Sequence, residues 1–149
     1  MENLEPDFGI FNCLFDNTYY LTFLNLYIGN ENFSKSDLKI GFDLIDNIIN
    51  SNPIQSVCEG IDKLLKEDNW RPHLVAIITI LKLDLETRNN YINPLWTRIS
   101  NSSWVCPQIL VAISLIDKDF ENKAKNILTN GIKINFSYAD NFPSQLIET

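Results

Sequence analysis

What this chain lacks narrows its chemistry before anything it contains does. A single histidine, His73, and three cysteines, Cys13, Cys58 and Cys106, are scattered through 149 residues. None of them stands at the spacing of a paired metal ligand, and the cysteines form neither a C-x-x-C motif nor a disulfide framework. Each cysteine reads as a small buried hydrophobe. Glycine is sparse, five residues in all, and no phosphate-cradling loop can be assembled from them. His-Glu-x-x-His and Gly-x-Ser-x-Gly are missing as well. No catalytic, cofactor-binding or metal-binding residue is therefore assigned, and the chain is not expected to be an enzyme.

Long apolar runs are also missing. Tyr19 to Ile28, the most apolar early stretch, is interrupted by Thr22 and Asn25 and falls short of the roughly 20 residues a membrane helix needs. The opening Met1-Glu2-Asn3-Leu4-Glu5 is acidic where a secretory leader would be basic. The expectation is a cytoplasmic protein with no membrane span, in which the formal glycosylation tripeptides at Asn32, Asn101 and Asn135 have no chance to act. No Pro-, Gly- or Gln-rich tract marks a linker, and with 45% hydrophobic residues the chain can bury a proper core. One domain over residues 1–149 follows. The abundance of Asn and Ile fits an AT-rich coding genome, and a bacterial source is expected.

What is present is a repeat. Asn69-Trp70-Arg71-Pro72-His73-Leu74-Val75-Ala76-Ile77 returns, with small insertions, as Ser103-Trp104-Val105-Cys106-Pro107-Gln108-Ile109-Leu110-Val111-Ala112-Ile113, the two tryptophans 34 positions apart. Each copy offers a polar N-cap candidate, Asn69 or Ser103, followed by a proline in the opening turn where a missing N–H costs least. The helices that follow, Leu74 to Leu83 and Ile109 to Ile116, are apolar almost all round and so should be covered on several sides.

Around them lie amphipathic segments. Leu38, Phe42, Ile45 and Ile49 share one helix face, with Ser34 or Ser36 as cap. A second stripe, Ile54, Val57, Cys58, Ile61, Leu64 and Leu65, follows Pro53. Leu95, Trp96 and Ile99 form a third, and Phe120, Ala124, Ile127 and Leu128 a fourth that stops at Asn130-Gly131. Six helices result. Residues 1–33 read as an N-terminal helical cap carrying Phe8, Phe11 and Phe15, residues 34–131 as helix-hairpin repeats, and residues 132–149 as an extended tail in which Ile132, Ile134, Phe136 and Tyr138 alternate.

With this period, its central apolar helices and its helix-starting prolines, the chain resembles HEAT-like and armadillo-like helical repeat proteins over roughly Ser34 to Gly131. The tetratricopeptide and ankyrin signatures are absent. The fold class is all-α: a short right-handed α-solenoid, or an irregular helical bundle, of about three antiparallel helix pairs.

Basic charge is in short supply, and unevenly so. Residues 1–68 hold 12 acidic and 4 basic side chains, whereas residues 69–149 hold 7 and 8. The acids off the apolar stripes, Asp43, Asp46, Glu59, Asp62, Glu67 and Asp68, are the candidate partner-binding set. Such a surface repels phosphate backbones and anionic lipid and steers a basic protein toward it, although solubility alone is a sufficient reason for acidity. The expected function is a non-catalytic protein-protein interaction module. Its small size and one-sided acidity are similar in general character to bacterial immunity proteins, which neutralise a cognate toxin, here a basic one. An adaptor or structural subunit of a larger assembly is the alternative. A small-molecule binder or enzyme would need a pocket built from His73, Trp70, Trp96, Trp104 and Arg71 or Arg98. The plainer expectations are a neutral His73 at the core edge, a buried Cys106 and tryptophans that act as packing wedges.

Overall fold

The computed structural model describes residues 5–15 and 35–131, with side chains from Lys39 onward in the second stretch. Every regular element among them is helical: a 3-10 helix Gly9–Leu14, then α1 Lys35–Ser51, α2 Ile54–Lys66, α3 Trp70–Lys82, α4 Leu85–Asn89, α5 Ile92–Ser100, α6 Cys106–Ile116 and α7 Phe120–Asn130. The protein is all-α over this range. The six helices read from periodicity are α1, α2, α3, α5, α6 and α7. The single turn α4 is an addition, started by Asp84, whose carboxylate accepts from the Thr87 backbone N–H at 2.9 Å and from its hydroxyl at 2.8 Å. The extended tail and the caps at Ser34 and Ser36 lie outside the described residues or side chains, as does the greater part of the N-terminal cap.

Consecutive helices pack on one another, α2 on α3 and α5 on α6, while α3 also meets α6 and α2 meets α5. α1 lies against α3 and α2, the 3-10 helix against α2, and α7 against α6. The shared core draws Ile45 from α1, Val57, Ile61 and Leu64 from α2, Val75, Ala76 and Ile80 from α3, and Ile109 and Ile113 from α6. Entry of the 3-10 helix depends on one residue without a side chain. A Cβ at Gly60 would sit 2.6 Å from two ring carbons of Phe11, and Phe11 is fully buried.

The two repeat helices adjoin, as their shared pattern requires, but they are not equally covered. α3 buries Pro72 to Ile77 without interruption. α6, of similar composition, buries Ile109, Ala112, Ile113 and Ile116 yet leaves Val111 61% and Leu115 65% exposed. The reason lies in its neighbours among the described residues: α7 contributes no buried side chain, so it leaves uncovered the flank of α6 that carries Val111 and Leu115. The helix starts differ too. Asn69 caps α3 by accepting from Arg71 N–H at 3.0 Å. Ser103 does not cap α6: its hydroxyl accepts from Val105 N–H inside the preceding turn, and Val105 is the cap position. Trp104 therefore lies before the helix and is 59% exposed, so it is no wedge. Trp96 does act as one, stacking on Phe120 at 5.9 Å and donating to Asp117 Oδ2 at 2.8 Å. α7 ends as the sequence indicates, at Gly131 with φ 75° and its N–H returned to Ile127 O.

Candidate functional site

The one histidine is the centre of a packed polar staple. His73, in the first turn of α3, is fully buried. Its Nε2 lies 2.5 Å from the Glu67 carbonyl oxygen and its Nδ1 2.7 Å from Ser103 Oγ. A carbonyl only accepts, so Nε2 carries the proton and Nδ1 accepts from the Ser103 hydroxyl. Burial pushes the imidazole down to about 4, with the Arg98 charge adding to the fall, against opposing contributions from the Glu67 carbonyl and Asp68. The neutral form foreseen from the helix dipole is thus present, but desolvation is its main cause.

Arg98, also buried, completes the staple. One guanidinium nitrogen donates to the Leu65 and Glu67 carbonyls at 3.1 and 3.2 Å, the other to those of Asn101 and Ser102 at 3.0 Å each. Ser102 adopts a left-handed φ of 63°. Together His73 and Arg98 tie the turn between α2 and α3 to the turn between α5 and α6. Both nitrogens of His73 are committed to these bonds, so the ring presents no free base to a substrate. Trp96 and Trp104 do not join this centre, and Cys106 is half-buried, its thiol pushed up by desolvation rather than activated.

The six candidate acids fall into three pairs rather than one cluster. On α1, Asp43 pairs with Lys39 at 2.6 Å and Asp46 with Lys82 at 2.8 Å. On α2, Glu59 accepts from the Gln55 amide at 3.1 Å, and Asp62 is exposed. In the turn that follows, Asp68 is exposed, while half-buried Glu67 accepts from Asp68 N–H at 3.2 Å. Both candidate acids on α1 are thus matched by lysine partners before any ligand arrives.

Glu67 also borders a feature that sequence reading missed. The N-terminal stretch crosses the start of α3 and encloses an open groove of about 750 Å³, lined among others by Glu5, Asp7, Phe8, Phe15, Glu67 and Arg71. The Phe8 and Phe15 rings pack in a tilted pair, centroids 4.7 Å apart and planes at 44°. Asp7 is internally satisfied by Asn12 Nδ2, Gly9 N–H and Lys63 Nζ, and these three donors, in that order of effect, hold its carboxyl at about 2. Arg71 lies over Trp70, 4.5 Å from the ring centroid. Glu5 and Glu67, by contrast, have no ion-pair partner among the described residues. The only signal in the sequence was the acidic, aromatic opening Glu5 to Phe15; nothing local tied it to residue 67.

Among the described residues there is no group of three or more His, Cys, Asp or Glu side chains placed to hold a metal ion, and no helix long and apolar enough to cross a membrane. Compared with known proteins, the chain matches no family model, no curated protein and no solved structure.

Proposed function

We propose that this chain is a non-catalytic protein-protein interaction module whose acidic first half receives a basic protein. In its most concrete form it is a cytoplasmic bacterial immunity protein that binds and neutralises a toxin domain, with neither nucleic acid nor membrane as a partner. The observation that carries the reading is the division of charge, net −8 over residues 1–68 against net +1 over residues 69–149, on helices of which several acids, Glu59 and Asp62 included, have no ion-pair partner among the described residues. A short right-handed solenoid suits this role, since stacked hairpins expose one broad face. The contacts α2 to α5 and α3 to α6 are those expected of equivalent helices in successive layers.

The test is co-expression with the product of the adjacent gene. Co-purification of a toxin-domain protein is expected, with charge reversal at Asp43, Asp46, Glu59 and Asp62 slowing association most at low salt. An adjacent product of plainly metabolic type would defeat the immunity form, and unchanged association would remove those acids from the interface.

A second reading, an adaptor or structural subunit, is favoured by one observation: Val111 and Leu115 stand four residues apart on the open flank of α6, 61% and 65% exposed. Light scattering on the isolated protein separates the two readings. A monomer agrees with the first, whereas self-association abolished by Leu115→Gln agrees with the second.

A further inference from the structure

The geometry points to the groove between the N-terminal stretch and the start of α3 as the receptor for an arginine side chain of the partner protein. The inference rests on the interaction-module reading and sharpens it, because it selects which part of the acidic half makes the specific contact.

Three properties converge. The first is uncancelled charge: the groove carries Glu5, Asp7 and Glu67 against Arg71, and among the described residues its ion pairing is confined to Asp7 with Lys63 at 3.1 Å. Asp43 and Asp46 on α1 already hold lysines, so an incoming cation gains more from Glu5 and Glu67 than from that helix. The second is an aromatic wall. Phe15 is half-buried against Phe8, which suits a flat, weakly hydrated guanidinium better than a compact, strongly hydrated ammonium. The third is that the cation lining the groove already has a partner of its own, with Arg71 stacked on Trp70 at 4.5 Å. That contact places a guanidinium on an aromatic face at the groove's edge, the arrangement proposed for the incoming one. A volume of about 750 Å³ exceeds what one side chain fills, so flanking residues of the partner segment enter with it.

The probe is N-acetyl-arginine amide, titrated into the intact, isotope-labelled protein and followed by amide NMR shifts, with N-acetyl-citrulline amide as the uncharged analogue of the same shape and N-acetyl-lysine amide as the second cation. Shifts are expected at Asp7, Phe8, Phe15, Asp68 and Arg71 with arginine, weaker with lysine and lacking with citrulline. The double variant Glu5→Gln, Glu67→Gln should bind about tenfold more weakly, as expected for loss of two partly exposed charge contacts, whereas Glu86→Gln on α4, which does not border the groove, should not change the affinity. Circular dichroism verifies that the double variant is folded, and Glu5→Gln alone serves if it is not. Shifts spread evenly over α1, α2 and the groove, equal binding of citrulline, or full affinity in the charge-neutral variant would overturn the assignment. A basic partner that still associates normally with the double variant removes the groove and leaves the module reading standing; arginine binding without any basic partner does the reverse.

Discussion

Acid should weaken this fold through one residue before the carboxylates contribute most of their share. His73 is the only histidine, and its protonation in the native state is held down to about 4 from an ordinary 6.5. The sign follows from which state binds the proton. Above pH 6.5 neither state is protonated and the full stability is present; between 6.5 and 4 the unfolded chain takes up a proton that the native state refuses. Stability therefore falls with pH across that window and levels off below it. Integrating the two titrations from about pH 7.5 to about pH 4.5 gives a loss on the order of 2–3 kcal/mol, a sizeable part of a domain stability of roughly 5–15 kcal/mol. Urea unfolding followed by far-ultraviolet circular dichroism at those two pH values measures it. His73→Gln serves as the comparison: it loses stability at neutral pH because Ser103 and the Glu67 carbonyl lose their partner, but its own loss between those two pH values should be smaller by about that same amount. Parallel slopes for the two proteins would refute the argument. So would an imidazole NMR signal that titrates near 6.5 in the folded protein.

The remaining expectations follow from packing and solvation. Gly60→Ala should lower the thermal midpoint even though alanine is the better helix former, because crowding the buried Phe11 ring at 2.6 Å outweighs a propensity gain of about 1 kcal/mol; a raised midpoint would contradict the contact. Arg98→Met removes the donors that four carbonyls share and should destabilise by about 3 kcal/mol or more in denaturant titrations, a loss under about 1 kcal/mol being incompatible with the staple. Thiol labelling of native protein should modify exposed Cys13 readily and Cys106 slowly, since burial raises the latter's pKa and hides it; equal rates would place Cys106 at the surface.

Those parts of the fold that depend on neighbours in sequence were legible in it. Apolar spacing located six helices, Asn69 announced the start of α3, and Asn130-Gly131 the end of α7. α4 escaped because a single turn has no periodicity to read, although its Asp84 cap was in plain view. The repeat correctly indicated that α3 and α6 adjoin, yet it could not reveal that one is covered all round and the other open on a flank. Composition sets how apolar a helix is; the number of neighbours sets how much of it water reaches. Ser103 illustrates the same limit, since a serine placed like an N-cap is spent instead on His73 and on its own turn.

Charge shows where local reasoning stops and why. A tally by halves locates the acidic excess but cannot distribute it, because cancellation depends on pairs that the fold creates. Lys39 and Asp43 are one helical turn apart and could be paired on sight, but Lys82 reaches Asp46 from another helix, and Lys63 reaches Asp7 across 56 positions. His73 likewise draws one partner from six residues before it and another from 30 after it. Once these pairs are drawn, the acids differ sharply from one another, and the most numerous cluster in the sequence is not the one with most charge to offer. A basic surface approaching the first half is attracted by all of it at a distance. At contact it gains most where no lysine among the described residues has arrived first, a condition that Glu59, Asp62 and Asp68 share with Glu5 and Glu67; of these, Glu5 and Glu67 line a groove whose two walls come from opposite ends of the acidic half.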